Sequence, residues 1–211
     1  TLTLDYDSFH KKLGDYHSPD RIFESYKKQK EKVISFLNKH DAEIDPYLFY
    51  VAYKVQGKVE SLLEVDIENP PNYGERLNKY HNNNVKLSEM IGQAMCAEQA
   101  ALGQYLLQNV LKEGYSSSFV AGASLIPPEV EAHSFLVIRD LNHKTYIYDI
   151  ARPLSKYSIP RIFEPDFPFT YKLLSGPDKL IMGATEIILG GRAYFGVMFA
   201  DTVIEKRKEQ E

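Results

Sequence analysis

The alternation of apolar and polar positions changes period about halfway along the chain. In the first third, Ile22, Phe23, Tyr26, Val33, Ile34 and Leu37 recur at helical spacing, while Lys27, Lys28, Lys30 and Glu31 take the other side. Ser18-Pro19-Asp20 supplies a start signal, with Ser as cap and Pro at the first helical position. Asp45-Pro46 repeats that signal before LFYVAYKV; Gly57 interrupts, and KVESLLEV continues as helix. Residues 66–84 hold Pro70-Pro71, Gly74 and three consecutive Asn, which predicts a loop between an N-terminal helical region and the rest.

From Cys96 the helical period returns. Ala97, Ala100, Ala101, Gln104, Leu107, Val110 and Leu111 form a largely apolar stripe, and Gly114 is expected to cap its end. The small residues Ala97, Ala100 and Ala101 would let this helix lie close against a sheet. Beyond it the period drops to two. SSFVAGAS, AHSFLVIR, KTYIYDI, FTYKLL, TEIILG and RAYFGVMFA are rich in β-branched and aromatic residues and separated by turn signals, with Gly190-Gly191 as a hairpin signal. Residues 123–132, with Pro127-Pro128, are expected to form a surface loop that could rim a cleft. Helices first and strands later predict an α+β fold: a helix on a mainly antiparallel sheet, preceded by helices. The expected division is a helical region at 1–80, a core at 81–204 and a solvated tail at 205–211.

Composition narrows the function. The 211 residues are 44% hydrophobic and 26% charged, ordinary for a globular protein, with a formal net charge of -4. That balance argues against nucleic acid, since the lysines of the first helix are interleaved with Glu24 and Glu31 and read as a solvated face. No apolar run approaches the roughly 20 residues that span a bilayer, so a membrane partner is not expected. The opening TLTLDYDSFH has neither the basic start nor the apolar stretch of a signal peptide. With a single cysteine, the expectation is a reducing compartment such as the cytoplasm. The chain starts on Thr rather than Met, which leaves secretion open.

That cysteine is the chemical lead. Cys96 stands where a helix begins, and the positive end of a helix stabilises a thiolate, as does a nearby imidazolium. His133 is the one histidine inside a strong strand pattern, EAHSFLVIRD; His10, His17, His40, His81 and His143 lie in loops or at element ends without metal-ligand spacing. Asp149 falls in the following strand among Tyr146, Ile147, Tyr148 and Ile150, where a charge is costly without a partner. His133 and Arg152 are the candidate partners. The order Cys on a helix start, His on a strand, Asp on the next strand suits nucleophilic catalysis.

Strand parity sharpens the expectation. His133 and Asp149 share a face of the hairpin only if its connecting loop has an odd number of residues. A loop Asp140-Leu141-Asn142 with Asn142 left-handed would set them directly opposite. A loop Leu141-Asn142-His143 would make them diagonal neighbours, still within reach.

The segment CAEQAALGQYLLQNVLKEGYSSSFVAGAS, followed by AHSFLVI and YIYDIARP, resembles the transglutaminase-like superfamily, a branch of the papain-like cysteine enzymes. The resemblance covers about residues 86–155. It implies a papain-like core in which Cys96 is the nucleophile, Gly114 ends its helix and Val120 to Gly122 form a short strand. It also implies that His133 beside Phe135 is the base and that Asp149 near Pro153 orients it. Ala94 stands where the family often has glycine, and there is no Trp beside the Cys or the His. The implied activity is thiol-dependent acyl transfer on amide bonds of a peptide or protein, as protease, glutamine deamidase or transglutaminase. The Cys96 backbone N–H and the Gln93 side chain are candidates for holding the oxyanion. No cofactor or metal is implied; an acetyl-carrying cofactor occurs in related folds, but no phosphate-cradling glycine loop is present here. The rival class is a non-catalytic interaction module that retains the fold. Sequence leaves the substrate and the oligomeric state open.

Overall fold

The computed structural model describes residues 2–81, 83–126, 129–153, 159–163, 173–175, 181–189 and 192–198. It is an α+β architecture in which helices precede an antiparallel sheet. The helices are α1 (Asp7–Leu13), α2 (Pro19–Lys39), α3 (Pro46–Leu63), α4 (Tyr73–Tyr80) and α5 (Cys96–Val110). Two short strands, β1 (Leu2–Thr3) and β2 (Val85–Lys86), pair in parallel. The main sheet comprises β3 (Ser116–Ile126), β4 (Glu129–Arg139), β5 (Thr145–Asp149), β6 (Arg161–Phe163), β7 (Leu173–Ser175), β8 (Ile181–Leu189) and β9 (Arg192–Met198). Its order is β6-β5-β4-β3-β9-β8-β7, and every neighbouring pair is antiparallel.

Local chemistry explains the helix starts. Asp45 accepts a hydrogen bond from the Leu48 N–H at 2.8 Å, with Pro46 opening α3. Ser18 precedes Pro19 at the start of α2, yet its side chain makes no capping bond. Gly57 does not interrupt α3; the helix runs through it with open space beside its Cα.

Several expectations are corrected. Residues 66–84 are not all loop: Asn72 accepts from the Glu75 N–H at 3.1 Å and starts α4. Residues 123–126 and 129–132 are strand rather than surface loop, continuing the β3–β4 pairing to Ile126 opposite Glu129. Helix α5 ends at Val110, and Gly114, at φ +91°, serves instead the turn closed by the Tyr115 N–H on the Lys112 carbonyl. Helix α5 comes close to the sheet at Gly103. A Cβ there would lie 2.6 Å from Ile150 Cδ1 and 3.1 Å from Leu136 Cδ1. Helix α1 and strand β6 carry no sequence signal because they are short. Pro127-Pro128, Gly190-Gly191 and the 205–211 tail lie outside the described residues, as do the first residues of FTYKLL.

One hydrophobic cluster joins Val51, Val55 and Val59 of α3 and Leu102, Leu106 and Leu107 of α5 to the sheet. The sheet contributes Leu136 and Ile138 of β4 and Tyr146 and Tyr148 of β5, with Ile150 just beyond. These are the even-numbered positions of the pair. Odd positions, His133, Phe135 and Asp149 among them, project from the other face. Among the described residues no helix is long and apolar enough to cross a membrane.

Candidate active site

Asp140 sets the register of β4 against β5. Its Oδ1 accepts the N–H groups of Asn142 and Lys144 at 2.8 and 2.9 Å, and its own N–H donates to the Lys144 carbonyl. The loop is therefore Leu141-Asn142-His143, with His143 rather than Asn142 left-handed, at φ +60°. Leu136 stands opposite Tyr148, a register that carries Phe135 opposite Asp149 and His133 two residues further along. The diagonal suffices: His133 Nε2 lies 2.9 Å from Asp149 Oδ1, and both side chains are buried. The Asp149 carboxylate thus turns to His133. Arg152 meets Asp149 through its backbone, donating its N–H to the Asp149 carbonyl. Phe135 stacks on the imidazole at 6.2 Å between ring centres.

Cys96 is half-buried and unpaired by any disulfide. It is the first residue of α5, where backbone N–H groups lack partners within the helix. Strand β5 pairs with β4 only as far as Leu136, and Cys96 meets β4 beyond that point, touching His133 and the Ser134 backbone. Burial pushes the Cys96 thiol up. The hydrogen bond and charge of His133, the backbone hydrogen bond from Ser134 and the Arg76 guanidinium outweigh it, and the thiol ends below its ordinary range. Burial likewise pushes His133 down, but hydrogen bonds and charges of Asp149 and Cys96 lift it to about 9. At neutral pH these directions favour a thiolate beside an imidazolium. With Nε2 on Asp149, Nδ1 is the ring atom left for the thiol.

Gln93 lies on the turn before α5, its N–H on the Met90 carbonyl at 2.9 Å. Its Oε1 is buried without a hydrogen-bond partner among the described residues, and its side chain bonds neither Cys96 nor His133 there. Three further residues gather at the start of α5. Glu98, fully buried, takes the Met95 N–H on Oε2 at 2.9 Å; its Oε1 takes Arg76 Nη2 at 2.6 Å and the Tyr80 hydroxyl. Glu98 carried a signal, since acid at the third helical position reaches back to cap the first N–H groups. Arg76 and Tyr80 carried none, being on the unpredicted α4.

No cluster of His, Cys, Asp or Glu among the described residues has the form of a metal site. A groove of about 560 Å³ lies between α2 and α3, lined by Val33, Phe36, Phe49 and Tyr53 among others; no member of the Cys96–His133–Asp149 set borders it.

No family model and no curated sequence matches the chain. Among solved structures, an arylamine N-acetyltransferase from Nocardia farcinica is similar at a TM-score of 0.32 and 12% identity, over 80% of this chain. The match spans 63% of that enzyme's chain. A likeness at that score assigns neither fold family nor activity.

Proposed function

We propose that the chain is a cysteine-dependent acyl-transfer enzyme with a papain-like, transglutaminase-like core, acting on amide bonds of a peptide or protein. One observation carries this: a thiol at a helix N-terminus meets an imidazole whose other nitrogen lies 2.9 Å from a buried carboxylate. Such an arrangement activates a nucleophile and orients its base together.

In the proposed reaction the Cys96 thiolate attacks the amide carbonyl carbon, and a C–S bond forms. The Cys96 N–H is positioned by the helix start to receive the oxyanion, and the Gln93 amide is the candidate second donor. His133 gives its proton to the leaving nitrogen as the C–N bond breaks, leaving a thioester. His133 then takes a proton from water or an incoming amine, which attacks the thioester and releases Cys96. Asp149 holds the imidazole's orientation and charge throughout. Water as acceptor makes the chain a protease or a glutamine deamidase; an amine makes it a cross-linking enzyme.

The test uses glutamine-containing peptides with and without a primary amine, followed by ammonia release, peptide cleavage, amine incorporation and the protein's intact mass. An acyl adduct on Cys96, lost in Cys96→Ala, is expected. A Cys96 that forms no adduct and resists iodoacetamide at pH 6 would overturn the proposal and favour an interaction module.

A further inference from the structure

The carboxylate of Glu98 is placed where it should harm a nucleophilic thiolate. It is fully buried on the same helix as Cys96 and within its first turn. Left uncompensated in that turn, a negative charge would disfavour a second one on sulfur. Its local task is clear, however: the residue preceding α5 is Met95, whose side chain makes no capping hydrogen bond, and Glu98 Oε2 takes the Met95 N–H instead. The helix start that presents Cys96 is built on this bond.

The other carboxylate oxygen is occupied by α4. Arg76 Nη2 donates at 2.6 Å, and the Tyr80 hydroxyl donates beside it. Arg76 is the buried residue of α4, with a side chain 10% exposed, and its guanidinium lies 5.2 Å from the Tyr80 ring centre. The rest of α4 is exposed or half-buried, so the helix is held mainly by this ionic contact rather than by apolar burial.

We propose that Arg76 and Glu98 are a positioning pair for the nucleophile, in which Glu98 fixes the start of α5 and Arg76 cancels its charge at the Cys96 sulfur. This rests on the acyl-transfer reading of Cys96. Neither residue touches substrate in the proposed chemistry; both act through Cys96. The groups that act on the thiol are His133, with Asp149 behind it, and the Ser134 backbone from the sheet. From α4 comes Arg76; Tyr80 and, on α5 itself, Glu98 stand behind it, bonded to one another. The Arg76 charge already counts among the influences holding the thiol down. A purely structural pair would stabilise the fold without regard to the sign of charge near sulfur. A positioning pair makes a signed prediction.

The experiment is the pH profile of Cys96 alkylation by iodoacetamide on the full chain, with thermal melts as a check of folding. Arg76→Gln leaves the carboxylate uncompensated and should move the profile up by roughly half a pH unit or more. Glu98→Gln keeps a capping oxygen, frees the guanidinium's field and should move the profile down. Arg76→Lys keeps the charge and should stay near wild type. The double variant Arg76→Gln/Glu98→Gln strands neither charge and should return towards wild type. If Arg76→Gln does not fold, Glu98→Gln must still move the profile down while Arg76→Lys leaves it in place, and Tyr80→Phe, which removes one donor from Glu98, should move it up. Shifts of the same sign in Arg76→Gln and Glu98→Gln, or an unmoved profile with lowered melts, overturn the pair. These signs are read against wild type wherever its profile lies. An inert wild-type thiol therefore counts against acyl transfer, and unmoved variants count against the pair alone.

Discussion

Asp149 holds His133 from a diagonal position, 2.9 Å from Nε2, while the residue directly across the hairpin from Asp149 is Phe135. Phe135 packs against the imidazole on the same face. The ring is thus confined by an aromatic neighbour and steered by a carboxylate. Cys96, delivered by α5, meets the ring along the strand stretch that β5 leaves unpaired.

Asp149→Asn keeps the size of the side chain and removes its charge. His133 then loses the larger of the two contacts that lift it to about 9, and it gives up its proton at lower pH. Activity should fall by roughly 10²- to 10⁴-fold, and Cys96 alkylation should shift to higher pH. An alkylation profile identical to wild type would show that the Asp149 carboxylate does not act on the pair.

The members of this set were legible because each breaks a local pattern: a Cys opening an amphipathic run, a His within a strand, an Asp among apolar strand residues. Parity narrowed their pairing to two registers, but choosing between them depends on Asp140 gathering two N–H groups of the loop. The clamp behind Cys96 was not legible. Helix α4 is eight residues long and buries a single arginine, so it has no apolar period, and its flanking Pro, Gly and Asn read as turn. Gly103 was visible as a glycine in a helix, yet its purpose exists only once Ile150 packs against it.

Linkage gives a pH signature for the ion pair. His133 is raised from 6.5 to about 9, so alone it stabilises the fold fully below pH 6.5 and loses that contribution as pH rises towards 9. Cys96 is lowered from 9.0, so alone it stabilises fully above pH 9 and loses that contribution as pH falls through its depressed value. Where the folded thiol has lost its proton and the folded imidazole still keeps its own, the two slopes oppose each other. The thiol's own slope is at most about 1.4 kcal/mol per pH unit. The stability of wild type relative to Cys96→Ala should therefore be greatest above pH 9 and shrink as pH falls through the thiol's depressed value. Chemical denaturation at several pH values measures it. A difference that grows towards acid would rule out a depressed thiol.

Gly103 tests how closely α5 must lie on the sheet. An alanine gains about 1 kcal/mol of helix propensity, but its Cβ displaces the Ile150 Cδ1 methyl, so the two effects should nearly offset. Valine adds branches against Leu136 as well and should cost roughly 2–3 kcal/mol. Since Ile150 adjoins Asp149, Gly103→Val should also weaken acid-side alkylation of Cys96. A valine variant as stable as wild type would mean the helix can lift away without consequence.

The N-terminal helices bear on the site through α3. Val51, Ala52, Val55 and Val59 are fully buried in the cluster shared with α5 and the sheet. Tyr148, next to Asp149, donates its hydroxyl towards the Ala52 carbonyl at 3.1 Å and Gln56 Oε1 at 3.0 Å. Gln56 Nε2 in turn donates to the Ile150 carbonyl at 2.8 Å. Asp149 is thus flanked on both sides by residues tied to α3. Tyr148→Phe leaves the buried Gln56 Oε1 short of a donor and should cost roughly 1–2 kcal/mol. A chain beginning at residue 81 loses the whole α3 surface beneath the sheet and should show no cooperative melt. If that fragment instead melts cooperatively and its Cys96 still alkylates at pH 6, the helices are an attachment, and the orientation of Asp149 is set by the sheet alone.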